Sequence, residues 1–249
     1  MMHSVGDDAI IPPKCCNPIK TIGVVKKMNE RLLNILIQSF PKILLPGLMY
    51  TIPLTVLAFA IGLVIAILTA LVQFANIRVL KQIARIYIWI IRGTPLLVQL
   101  FVVFYGLPKA GILIDAFPAA VMVFAINEGA YAAETMRAAL EAVPAGQMEA
   151  GYCVGMSWWQ IVRRIELPQA LRTAFPTLFN ELISMVKDTS LAANITVTEM
   201  FMTTQRINAV YYEPLALYLE VAAVYLLFST VLTKLQSIGE KKLGSYGRR

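Results

Sequence analysis

Histidine is almost missing from this chain of 249 residues: His3 is the only one. A histidine-held metal and a histidine general base therefore have no place in a folded core. Cysteine is scarce too, with Cys15 and Cys16 adjacent and Cys153 alone. That pattern excludes a disulfide framework and paired-cysteine metal spacing. No phosphate loop of the form G-x-x-x-x-G-K-[ST] occurs, and no polar segment is long enough for a nucleotide-binding domain. Charge is the fourth shortage: Asp, Glu, Lys and Arg make up 15% of the chain, and none lies between Ile43 and Ile77.

What fills the chain instead is apolar. Hydrophobic residues make up 58% and the mean hydropathy is +0.67, more than a soluble core of this size can enclose. About 20 apolar residues cross a bilayer core of roughly 30 Å as a helix. Ile43 to Ile77 and Leu215 to Thr233 qualify directly, the second holding only Glu220. Three less pure blocks, Ile83 to Leu107, Phe117 to Leu140 and Ala170 to Ile195, each carry charge. The expected fold is an all-α membrane protein of about five transmembrane helices. Residues 1–27 mix Pro12, Pro13, Asp7, Asp8 and lysines without an apolar run, so they predict a disordered extension and not a signal peptide. Residues 28–42 read as an amphipathic lead-in, 43–239 as the transmembrane domain and 240–249 as a basic tail.

The net charge of +7 raises nucleic acid, but the basic residues are spread along loops and tails without a compact basic and aromatic surface. Membrane topology accounts for them better. With five spans, one side collects twelve Lys and Arg from the connections and the carboxyl end, and the other collects eight, six of them in residues 14–42. The richer side is assigned to the cytoplasm, with the N-terminus outside and the C-terminus inside. The long connection from Glu141 to Gln169 then faces the cytoplasm.

That connection is the most patterned part of the chain. It reads Pro144, Gly146, Glu149-Ala150-Gly151, then Gly155, then Ile165, Leu167 and Pro168. Small residues permit close docking of a partner, and Pro168 marks the start of the next helix. The plainer reading is an interfacial helix anchored by Trp158 and Trp159. The whole spacing resembles the EAA loop of ABC importer permeases, with Gly151 where the second alanine is usual. Arg92-Gly93-Thr94-Pro95-Leu96 with Gln99, Tyr131 with Glu134 and Arg137, and Lys187-Asp188-Thr189-Ser190-Leu191 resemble the polar amino acid branch of that family. The likeness covers roughly residues 44–239. It implies the type I importer permease fold, with a cytoplasmic coupling helix between spans 3 and 4.

Charges inside spans cost on the order of 3 kcal/mol each and normally face protein or a water-filled cavity. Glu181, Ser184 and Asp188, and likewise Asn180, Ser184 and Lys187, share one helix side, as do Asn127, Tyr131 and Glu134. Gly93 and Pro95 predict a break beside Arg92. An amino acid carries both charge signs, so a passage must offer both. The expected division has Glu134, Glu181 and Asp188 toward the ammonium, and Arg92, Lys187 and Ser190 toward the carboxylate. Thr94, Gln99, Tyr131, Asn180 and Ser184 complete the pathway. Glu128 and Arg137 are expected only to pair between helices or reach the headgroups.

The resemblance implies a non-catalytic subunit: no cofactor in this chain, with ATP and Mg on partner ATPase subunits. It implies a second permease subunit, identical or sister, and an extracytoplasmic amino-acid-binding protein that delivers the substrate. Residues 212–236 resemble cystine-type permeases, while basic amino acids and glutamine remain open. An ion-driven secondary amino acid transporter is the alternative. A membrane enzyme lacks any nucleophile with a nearby base, and a membrane scaffold would leave the buried charges unexplained.

Overall fold

The computed structural model describes residues 18–75 and 77–244, with side chains from 30 to 243 apart from Asn76. The described residues are helical or in short connections, with no strand among them. Helix α1 (Pro18–Pro46) runs through a π-helical turn, Gly47–Thr51, into α2 (Ile52–Phe74). The chain then forms α3 (Arg78–Arg92), α4 (Leu96–Phe101), α5 (Ala116–Glu141), α6 (Ala145–Cys153), α7 (Trp158–Ile161), α8 (Leu167–Asp188), α9 (Met200–Tyr211) and α10 (Pro214–Gly244).

By length and composition three helices can cross a membrane, namely Glu30–Phe74, Ala116–Glu141 and Pro214–Leu243. Arg78–Arg92 and Leu96–Ala110, bent by 100° at their junction, are long and apolar enough for a fourth only when taken together as one broken span. The predicted break at Gly93 and Pro95 is therefore present. α8 is the fifth long element: its 22 residues span roughly 33 Å at 1.5 Å per residue, but its charges keep it from qualifying by composition.

The boundaries differ from the sequence reading in four places. The first helix begins at Pro18, inside the stretch expected to be a loose extension, and residues 1–17 lie outside the described residues. The lead-in is amphipathic, burying Ile35, Ser39, Ile43 and Gly47 on one stripe against α9 and α10. The helix after the loop begins at Trp158, ten residues before Pro168, because Ser157 and Gln160 form a reciprocal capping box. The predicted span to Ile195 leaves α-helical geometry at Asp188. There Thr189 Oγ1, Ser190 Oγ and Asn194 Nδ2 donate back to carbonyls three residues earlier and a 3-10 run takes over. At the other end, α10 runs to Gly244, so the first half of the tail expected at 240–249 is helical, and residues 245–249 lie outside the described residues.

Three π-helical turns, Gly47–Thr51, Val102–Gly106 and Val162–Glu166, each end two residues before a proline: Pro53, Pro108 and Pro168. Proline lacks the N–H of the ladder and crowds the carbonyl four residues back. A widened turn relieves both without breaking the helix.

The centre of the bundle is the α2–α5 pair, the most extensive helix contact. Ala58, Gly62, Ala66 and Ala70 recur every fourth residue along α2 and are buried. A Cβ on Gly62 would stand 2.9 Å from Glu128 Cβ and 3.1 Å from the Ala125 carbonyl. One on Gly129 would meet Ile65 Cγ2 at 2.7 Å. Small residues thus let the two backbones approach, the usual source of packing where lipid removes the hydrophobic drive. Outward-facing Leu57, Ile61, Val64 and Leu68 on α2, and Leu219 and Leu226 on α10, are exposed.

Candidate functional site

The elbow at Gly93-Thr94-Pro95 opens a cavity of about 690 Å³ between itself, α5 and α8. Its geometry follows from the broken helix. Thr94 Oγ1 donates to the Ile90 carbonyl, and the Gln99 amide donates to the Ile91 and Thr94 carbonyls at 2.8 and 3.1 Å, so the carbonyls freed at the end of α3 keep partners. Gln99 Oε1 in turn accepts from Asn127 on α5 at 3.1 Å. The elbow is thereby pinned to α5, and Arg92 is held with its guanidinium carbon 5.0 Å from the Tyr131 ring centroid.

Three carboxylates line this cavity: Glu128 of α5, and Glu181 and Asp188 of α8. Glu181 Oε1 accepts from Thr135 Oγ1 at 2.9 Å. Its other oxygen and Glu128 Oε1 are buried without a hydrogen-bond partner. The Glu128 and Glu181 carboxyls nonetheless lie within hydrogen-bonding reach of each other across α5 and α8, so a proton shared between them relieves the cost of burying both. Asn180, Ser184, Thr177 and Thr94 supply neutral polar groups on the same walls, and Arg92 stands at the edge.

The expected pathway residues are thus mostly brought together, but the division of roles changes. Arg92, Thr94, Tyr131, Asn180, Glu181, Ser184 and Asp188 all line the cavity, and Gln99 supports its elbow. Glu134 does not face it, because Arg137 takes it in an ion pair at 3.0 Å while also bonding Glu141 at 2.8 Å. Lys187 and Ser190 turn away to a separate groove with Phe201, Tyr218 and Tyr225. Adjacent residues on a helix are about 100° apart, so Lys187 and Asp188 cannot share a face. Glu128, expected only to pair between helices, does face Glu181 of α8 and in addition lines the cavity. Its signal lay in the sequence as the i, i+3 partner of Tyr131.

The connection from α5 to α8 forms a small projecting unit. Pro144 precedes α6, whose end is closed by Gly155 in the left-handed region at φ 78°. The Gly155 N–H donates to Tyr152 O at 2.9 Å and the Met156 N–H to Gly151 O at 3.0 Å, the Schellman arrangement. Gly151 is buried within the chain: a Cβ there would lie 2.7 Å from Ile161 Cγ1. Its smallness therefore serves the fold of the loop and not a partner. Gly146, Glu149, Ala150, Tyr152 and Val154 are exposed on the outer side, whereas Ile165 and Leu167 are half-buried and Pro168 is exposed where the chain enters α8.

A charged cavity inside a helical bundle, beside a projecting loop helix, is the anatomy of a transport subunit. Residues 62–245 match the family described as the binding-protein-dependent transport system inner membrane component. The chain belongs to this family. This permease is 45% identical over 210 residues to the L-cystine transport system permease protein TcyB of Bacillus subtilis, covering 84% of this chain and 90% of that one. It is 34% identical over 226 residues to the nopaline transport system permease protein NocM of Agrobacterium fabrum, covering 87% and 93%. Among solved structures, an amino acid ABC transporter crystallised with histidines superposes with TM-score 0.76 at 36% identity, over 83% of this chain and 96% of that one. The inward-facing MetNI methionine ABC transporter superposes with TM-score 0.66 at 19% identity, over 86% and 98%, a likeness of fold alone.

Proposed function

We propose that this permease forms the translocation pathway of an ATP-driven importer of polar amino acids. The observation that carries the reading is the cavity lined by Glu128, Glu181 and Asp188 together with Arg92. The carboxylates suit the ammonium of an amino acid, and the guanidinium suits its carboxylate. Relatives named for cystine, nopaline and, in Corynebacterium glutamicum, arginine transport support the class. The proposed substrates are cystine first, after the relative named for it, then cationic and glutamine-like amino acids; the three acidic groups against one arginine favour the cationic ones among these.

The chain makes no covalent bond in this scheme. ATP and Mg are held by two ATPase subunits that dock on the exposed side of α6 through Gly146, Glu149 and Ala150, with the Gly155 turn setting the angle of the unit. A second permease subunit completes the pathway, and a binding protein delivers cargo from outside. The N-terminus lies outside and the carboxyl end in the cytoplasm, following the distribution of Lys and Arg. An ion-driven mechanism gains no support from a family defined by dependence on a binding protein. The test is reconstitution with the co-purifying ATPase and the loaded binding protein against a panel of L-cystine, L-arginine and L-glutamine. Uptake that requires ATP is expected; uptake driven by an ion gradient without ATP would overturn the reading.

A further inference from the structure

A second cavity, of about 420 Å³, lies against the first at the end of the bundle where α5 runs on to the α6 loop. It is basic. Lys81, Arg85 and Arg92 from α3 and Arg137 from α5 face Glu134 and Glu141, four cations against two carboxylates. Both carboxylates are taken by Arg137. Among the described residues no carboxylate comes within ion-pair distance of Arg85 or Arg92.

Helical spacing explains the arrangement. Arg78, Lys81, Arg85 and Arg92 fall on one stripe of α3, while Val79, Ile83, Ile86 and Ile90 form an exposed apolar face. Arg85 is seven residues before Arg92, roughly 10 Å along the axis. Arg92 lines both cavities, so the deep acidic chamber and the basic cleft meet at one guanidinium. A guanidinium without an anion, in a recess of this size, is built to take an oxyanion by two parallel N–H donors.

We propose that the cleft around Arg85 is a release-side station that binds the carboxylate of the transported amino acid after it leaves the deep chamber, and through which product accumulated on the α6 side slows transport. This rests on the amino acid reading above. An anionic lipid headgroup offers the same oxyanion chemistry, so the experiment separates the two.

The full transporter, with its ATPase subunits, is reconstituted in proteoliposomes with ATP inside and loaded binding protein outside. The probe is whichever of L-cystine, L-arginine and L-glutamine is taken up by the wild type. Initial uptake is measured against increasing luminal concentrations of the same amino acid, each variant being normalised to its own rate with an empty lumen. Luminal amino acid is expected to inhibit the wild type. The concentration giving half inhibition is expected to rise at least fivefold in Arg85→Gln, to return toward wild type in Arg85→Lys, and to stay put in Arg78→Gln, one step outside the cleft. Co-purification of the ATPase subunit with each variant checks assembly. An unchanged half-inhibition point in Arg85→Gln, or a wild type insensitive to luminal amino acid, overturns the station while leaving the importer reading intact. Inhibition that follows replacement of phosphatidylglycerol by phosphatidylcholine, and not luminal amino acid, assigns the cleft to lipid and also overturns it. Absence of uptake of all three amino acids by the wild type defeats the importer reading itself.

Discussion

A single backbone step separates Lys187 from Asp188, yet it sends one to an aromatic groove and the other into the acidic chamber. This makes a sharp prediction. Asp188→Asn, Glu181→Gln and Glu128→Gln are each expected to lower uptake about tenfold or more, the equivalent of about 1.4 kcal/mol of lost cargo binding. Lys187→Met is expected to stay within about twofold. Because Glu128 and Glu181 bring two acidic groups together in a buried place, their neutral variants are expected to melt at the same temperature as the parent or above it. Uptake assays paired with thermal melts of the purified complex check both halves. Sequence spacing put Glu181, Ser184 and Asp188 on one face and the structure keeps them there. The pairing of Arg137 with Glu134 was itself legible as an i, i+3 contact on α5; what the spacing could not tell is which cavity that pair would line, since the neighbouring helices decide it.

At the scale of the helix, close packing and capping carry the fold. Gly62→Leu would drive a side chain into Glu128 and the Ala125 carbonyl, and overpacking of this kind costs on the order of 1–3 kcal/mol. The expected result is a lower melting temperature and loss of uptake together, since the strain falls on the wall of the chamber. In the loop, Ser157→Ala removes the capping box that starts the α7–α8 helix, at a cost of about 1 kcal/mol. Its expected signature is faster amide hydrogen exchange confined to residues 157–161. Pro53, Pro108 and Pro168 each follow a π-helical turn, so Pro168, read from the sequence as the start of a helix, instead sits in a helix that runs through it from Trp158. Gly93 with Pro95 does break its helix, because three consecutive residues leave the ladder and Gln99 stands ready to satisfy the carbonyls.

For the whole molecule, the exposed side of α6 offers a test of coupling that leaves the chamber untouched. Ala150→Trp, on a side chain open to solvent, is expected to preserve the melting temperature but to reduce ATPase co-purification or the stimulation of hydrolysis by loaded binding protein at least fivefold. Pull-down and phosphate release measure the two. Gly151→Ala is expected to act differently: its Cβ meets Ile161 Cγ1 at 2.7 Å, so it should lower stability, with Ile161→Val partly restoring it. What the sequence alone determined is the solvent, the number of long helices, the elbow and the loop, because hydropathy, proline and glycine act locally and are written in order along the chain. The tertiary structure alone decided which charges share a cavity, because that depends on which faces of α3, α5 and α8 are turned together by the small-residue packing of α2 on α5. Two chambers of opposite charge meeting at Arg92 are a property of that packing, and no spacing along one helix encodes it.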